Sequence, residues 1–186
     1  MINGKQCTAG WHVDDIKLSH VDPKVNTTII KMLNDEFGKE EPMAVSRGKV
    51  HDYLGMTFEF SVKGKVMMDM IDYMELMVDD FSTEFKANKT APTPAAEDLF
   101  AEGEGKDLEK QRAEEYHTFV AKGLFARKRV RLDIHSTIAV LCTRVKKPNE
   151  DDWRKLHRLL KYINSTRKDK LILSADDLHV IKWYVD

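Results

Sequence analysis

Two adjacent carboxylates, Asp14 and Asp15, interrupt an extended pattern near the start of this 186-residue chain. Before them, Cys7, Thr8, Trp11 and Val13 favour an extended backbone. After them, Ile16 and Leu18 alternate with Lys17 and Ser19, the two-residue period of a half-buried strand. Aspartate is disfavoured inside a strand and suits a turn, so the pair is expected at the bend of a hairpin. Gly10 sits awkwardly in the incoming strand, because glycine weakens a strand interior. A rigid tip carrying two carboxylates can hold Mg²⁺, which takes oxygen ligands from one or two carboxylates plus substrate phosphates. Two such ions about 3.5–4 Å apart serve nucleotidyl transfer. The same dipeptide is also ordinary turn chemistry, and the local pattern alone favours that plainer reading.

The remaining pattern alternates strands and helices. Asp22-Pro23 reads as an N-cap followed by proline at the first helical position. Val25, Ile29, Met32, Leu33 and Phe37 recur at helical spacing, and Gly38 supplies the stop. This helix is expected to pack beneath the hairpin. Pro42 to Val50 reads as irregular or a short strand. Tyr53 to Phe60 alternates, with Leu54, Met56, Phe58 and Phe60 on one face; Lys63-Gly64-Lys65 turns the chain, and Val66 to Met70 returns. A helix is expected over Ile71 to Phe85, with Tyr73, Met74, Met77, Val78 and Phe81 as its core stripe. Lys86 to Lys110, with four Pro and Gly residues among acidic ones, reads as a flexible acidic linker. Helical pattern resumes near Glu109, with Tyr116, Phe119, Val120, Leu124 and Phe125 on one face. A second stripe follows Asp133 (Ile134, Ile138, Leu141, Val145). A third follows Pro148-Asn149 (Trp153, Leu156, Leu160, Ile163). Leu171-Ile172-Leu173 and His179 to Asp186 close the chain as short strands.

The net charge of −1 hides an asymmetry. Residues 111–170 carry 16 Lys and Arg against 7 Asp and Glu, a balance of +9, and the rest of the chain stands at −10. Such a segment can be a polyanion track or a set of solvated helix faces. Its candidate phosphate contacts are Arg127, Lys128, Arg129 and Arg131 in one run and Arg154, Lys155, Arg158 and Lys161 in another. No apolar run reaches about 18 residues, so no membrane span is expected. No secretory signal is visible, which makes an intracellular compartment the default. Cys7 and Cys142 are too few for a disulfide framework or a zinc motif. Nothing in the sequence points to a redox cofactor or to a nucleophilic Ser or Cys.

The stretch His12-Val13-Asp14-Asp15-Ile16-Lys17-Leu18-Ser19-His20 resembles the aromatic-x-Asp-Asp motif of reverse transcriptases, and it is similar to the copia-type retrotransposon polymerases. His12 stands where that family usually has Tyr. Tyr53-Leu54-Gly55-Met56 resembles the family's Leu-Gly-Met signature after the palm helix. Thr93-Pro94 is similar to its Thr-Pro step after the thumb helix. Arg129-Val130-Arg131-Leu132-Asp133-Ile134 resembles its Arg-Pro-Asp-Ile signature, with Leu132 in place of proline. Trp153, the basic stretch after it, Leu160-Lys161-Tyr162-Ile163 and Thr166 also follow the family's order. The resemblance spans essentially the whole chain.

The resemblance implies an α+β fold. It would be a partial palm of antiparallel hairpins and a helix over 1–70, with the start of the thumb over 71–85. The linker over 86–110, a basic helical thumb and connection region over 111–176, and the truncated first strand of an RNase H domain over 177–186 would follow. It implies that Asp14 and Asp15 are catalytic metal ligands for Mg²⁺, and that Asp186 matches the first RNase H carboxylate. The implied partners are an RNA template, a DNA primer or duplex and, in the complete enzyme, deoxynucleoside triphosphates. The implied setting is a cytoplasmic virus-like particle. A further palm carboxylate and the fingers would lie before Met1, so the chain reads as a fragment with little activity of its own. A non-catalytic nucleic-acid-binding module and the product of a decayed element stay open as other readings.

Overall fold

In the computed structural model, which describes residues 1–81, 90–103 and 105–175, the acidic dipeptide closes a hairpin. Strand β1 (Cys7–His12) pairs antiparallel with β2 (Asp15–His20), in a register that sets His12 opposite Asp15 and Trp11 opposite Ile16. Val13 and Asp14 make the turn. Val13 takes a φ of 53°, a left-handed value that is costly for a β-branched residue.

Helix α1 (Pro23–Phe37) begins as the sequence indicates. The Asp22 carboxylate accepts from the Lys24 N–H at 2.9 Å, and Pro23 stands where its missing N–H is not needed. The helix ends where the Gly38 N–H donates to the Asn34 carbonyl at 2.8 Å. It lies against β2. Its apolar stripe is only partly covered, however: Met32 is 61% and Phe37 73% exposed. The cause is the sheet, because two strands are too narrow to cover a four-turn helix. Strand β3 (Val50–Tyr53) completes this first unit, Met1–Leu54. Val25 is its one buried residue.

The second unit begins at Gly55. The alternation over Tyr53 to Phe60 is not one strand. Leu54 and Gly55 both take positive φ (54° and 73°), which ends β3 and starts β4 (Met56–Glu59) afresh. Glycine makes such a reversal affordable. Strands β4, β5 (Lys65–Asp69) and β6 (Leu171–Ser174) follow in antiparallel order, with Phe58 opposite Met68 and Met68 opposite Leu171.

The core belongs to the helices. Helix α2 (Ile71–Asp79) is shorter than its periodicity indicates, and Asp80 closes it through an N–H donated to the Leu76 carbonyl. Residues 82–85 of the expected helix lie outside the described residues. Helix α3 (Lys110–Arg127), a 3₁₀ turn (Leu132–Ile134), α4 (His135–Arg144) and α5 (Glu150–Thr166) enclose Met74, Met77, Tyr116, Val120, Ile138, Leu141, Leu156 and Leu160, all buried. Tyr116 donates its hydroxyl to the Leu141 carbonyl at 3.0 Å, and burial pushes its phenol well above the ordinary range. The expected strand over His179 to Asp186 lies outside the described residues.

The segment read as a flexible linker runs along α5 over its described residues. Ala91, Leu99 and Leu108 are buried. Asn149 donates to the Gly103 carbonyl at 3.0 Å, and the Glu150 N–H to the Lys106 carbonyl at 3.0 Å. Composition alone does not foresee this, because the acidic side chains find cationic partners elsewhere in the fold, Asp98 with Arg154 on α5, Glu102 with Arg144 on α4 and Asp107 with Lys147, so the segment gains contacts that its own hydrophobicity could not supply.

Candidate functional site

Asp14 and Asp15 sit at the exposed tip of the β1–β2 hairpin. They line a concavity of about 380 Å³ together with Lys17, Leu18, His51, Asp52 and Tyr53. Burial lowers the Lys17 ammonium below its ordinary value. Trp11 braces the tip by donating its indole N–H to the Val13 carbonyl at 2.6 Å. A Cβ on Gly10 would stand 3.6 Å from the Tyr53 hydroxyl, an ordinary van der Waals contact, so the space there does not demand glycine. The sequence pattern singled out the aspartate pair but missed His51 and Asp52. Their only signal was a polar pair just before the Leu54-Gly55 reversal.

Mg²⁺ is the metal that the resemblance implies. Two carboxylates at a hairpin tip suit a share of its oxygen shell, the balance coming from water or phosphate. Among the described residues, no group of three or more His, Cys, Asp or Glu side chains is arranged to hold a metal ion. Asp14 and Asp15 therefore fit as a partial ligand set. Asp186 lies outside the described residues.

The eight candidate phosphate contacts divide into three kinds. Arg131 and Lys155 are buried (2% and 6% exposed) and engaged within the fold, so neither is free to meet a polyanion. Arg131 grips Asp133 through Nε at 2.9 Å and Nη2 at 2.7 Å, a bidentate pair. The same guanidinium reaches the Thr166 hydroxyl at 2.7 Å, and the Tyr162 hydroxyl donates to Asp133 at 2.9 Å. This joint ties the 3₁₀ turn to the end of α5. Burial alone would raise the Asp133 carboxyl, but Arg131 and Tyr162 outweigh it and hold it below its ordinary value. Lys155 donates to the Ala101 carbonyl at 2.8 Å and pairs with Asp151 at 2.9 Å.

Arg154, Arg158 and Lys161 share one face of α5, at spacings of four and three residues. They line a concavity of about 500 Å³ with Arg112, Trp153 and His157. Arg154 is paired with Asp98 and Asp151, and Arg112 with Glu150 while stacking over Trp153. Arg158 donates to the Thr93 hydroxyl at 2.9 Å. The third group lies at the end of α3. Lys128 is exposed, Arg129 stacks 3.5 Å from the Phe125 ring centroid, and Arg127 Nη1 approaches His135 Nε2 at 3.4 Å. Sequence reasoning missed Arg112 and His135 because each stands outside the dense basic runs.

Compared with known proteins, the chain matches no family model, no curated protein and no solved structure. No helix among the described residues is long and apolar enough to cross a membrane.

Proposed function

We propose that this chain is a C-terminal polymerase fragment of a copia-type reverse transcriptase. The observation that carries the proposal is the adjacent carboxylate pair at the tip of an antiparallel hairpin, backed by a helix that packs on its second strand. In sequence, Leu54-Gly55 and Arg131-Leu132-Asp133 follow in the order of the resemblance; the first is a backbone reversal and the second carries an ion pair. In this reading Asp14 and Asp15 supply carboxylate oxygens to Mg²⁺, which when bound would polarise the phosphates of an incoming deoxynucleoside triphosphate. Arg154, Arg158, Lys161, Lys128 and Arg129 would contact the phosphates of a template–primer duplex. Arg131 and Lys155 hold the helices that present them. By itself the chain would have little activity, because two carboxylates cannot position two metals and a substrate.

A second reading, a nucleic-acid-binding module without catalysis, draws support from the basic face of α5, where Arg154, Arg158 and Lys161 line one concavity. Mn²⁺ in place of Mg²⁺ separates the two. The polymerase reading predicts selective paramagnetic broadening of the Val13 to Ile16 amide signals, lost in Asp14→Asn. Uniform weak broadening over all exposed carboxylates would leave the binding module as the better account.

A further inference from the structure

At the corner where α3 meets α4, Arg127 and Lys128 have no carboxylate paired with them among the described residues. Arg127 is partly buried, and its Nε has no hydrogen-bond partner among those residues. Its nearest polar contact is the His135 imidazole, 3.4 Å from Nη1, a long and weak hydrogen bond. Lys128 adds a second permanent charge beside it. The positive potential of Arg127 and Lys128 extends across to α4, where it acts on the Cys142 thiol, though burial outweighs it and pushes that thiol up. Asp133, the acidic group of the intervening 3₁₀ turn, is taken up by Arg131 and Tyr162. A guanidinium half out of water with only an imidazole for company is poorly compensated, and an anion placed between the two would satisfy both.

We propose that Arg127, Lys128 and His135 form a phosphate-binding site in which His135 takes up a proton when phosphate binds. With the site empty, His135 Nε2 faces the Arg127 guanidinium. A phosphate oxygen there favours the protonated imidazole, both of whose ring nitrogens are donors. One imidazole becomes imidazolium, and the proton comes from solvent. The sign follows from linkage. A group whose proton affinity rises on binding adds affinity at low pH and loses it as pH climbs through the imidazole range. The phosphate would be a nucleic-acid backbone or free phosphate. The backbone source rests on the reading proposed above.

Proton NMR of the seven histidines in the full chain tests this, with His135→Gln assigning the signal. Inorganic phosphate, then a short RNA–DNA hybrid duplex, is titrated in at low ionic strength. Both are expected to move the His135 titration curve to higher pH. Duplex affinity should fall about tenfold from pH 5.5 to pH 8, the consequence of a displacement of one pH unit. His135→Gln should abolish that pH dependence. Lys128→Gln, at an exposed position, should weaken binding at every pH without affecting the fold. A His135 curve that neither probe moves would overturn the site. Salt-sensitive duplex binding that leaves His135 unmoved would also overturn it, while the nucleic-acid reading stands. A response to inorganic phosphate alone would uphold the site as a free-phosphate site and count against the nucleic-acid reading.

Discussion

Arg131 is one member of a dense basic run, and it is buried while Lys128 of the same run faces water. The difference is Asp133, two residues on, whose carboxylate matches the guanidinium fork, together with Thr166 and Tyr162 arriving from α5. Asp133→Ala would leave a buried guanidinium with only the Thr166 groups, and should cost about 3 kcal/mol in urea unfolding of the second unit. Arg131→Met should cost less, because Asp133 is the more exposed partner and can rehydrate. Asp133 sits below its ordinary value in the folded chain, so its contribution is full above the unfolded carboxylate value and is lost as pH falls through the folded one. Stability of the wild-type chain relative to Asp133→Ala should therefore shrink below about pH 4. An unchanged difference at low pH would show that the joint acts by packing and not by charge. None of this was visible in the sequence, where Arg131 looks like Arg129. What decides between them is Asp133 two residues on acting together with Thr166, 35 residues away.

At the level of elements, the ends of helices were easier to read than their buried faces. Asp22-Pro23 starts α1 as written, because cap chemistry is local. The start of α5 is equally local: Asn149 accepts from the Asp151 and Asp152 N–H groups at 3.0 Å each, and Asp152 accepts back from the Asn149 N–H at 3.0 Å. Asn149→Ala should cost about 1 kcal/mol, measurable as a lower urea midpoint with unchanged slope. The apolar stripe of α1 was legible as a pattern and the helix does pack on β2, but how much of the stripe is covered was not, since burial depends on how much sheet is present to cover it. Close approach is the least legible feature of all. A Cβ on Gly123 would overlap the Ile138 side chain, so Ile138 would have to shift for α3 and α4 to meet as closely as they do. Gly123→Ala should destabilise the second unit by about 1–3 kcal/mol despite its better helix propensity. A stabilising effect would mean that Ile138 can step aside.

Taken whole, the chain is uneven. Its second unit has a continuous core through α2, α3, α4 and α5, while in its first only Val25 is buried and Trp11, Val13, Met32 and Phe37 lie open to solvent. A two-stranded sheet and one helix with so little buried surface cannot hold a cooperative fold by themselves. Hydrogen exchange should show amides of β1, β2 and α1 opening at little free-energy cost, while those of α3 and α5 exchange only with global unfolding. Equal protection in the two units would contradict this. The carboxylate pair therefore sits on the less stable part of the molecule. The pair itself was legible from two residues and their flanking alternation. Its surroundings, with Lys17, His51 and Asp52 in one concavity, were not. Primer extension on an RNA template with Mg²⁺ tests the polymerase reading most directly. The chain would be compared with a version that carries in addition the fingers and first palm strand of a copia-type polymerase, and with Asp14→Asn in that version. The account predicts extension only in the completed version and its loss on Asp14→Asn. Extension that survives Asp14→Asn, or none even in the completed version, would contradict it.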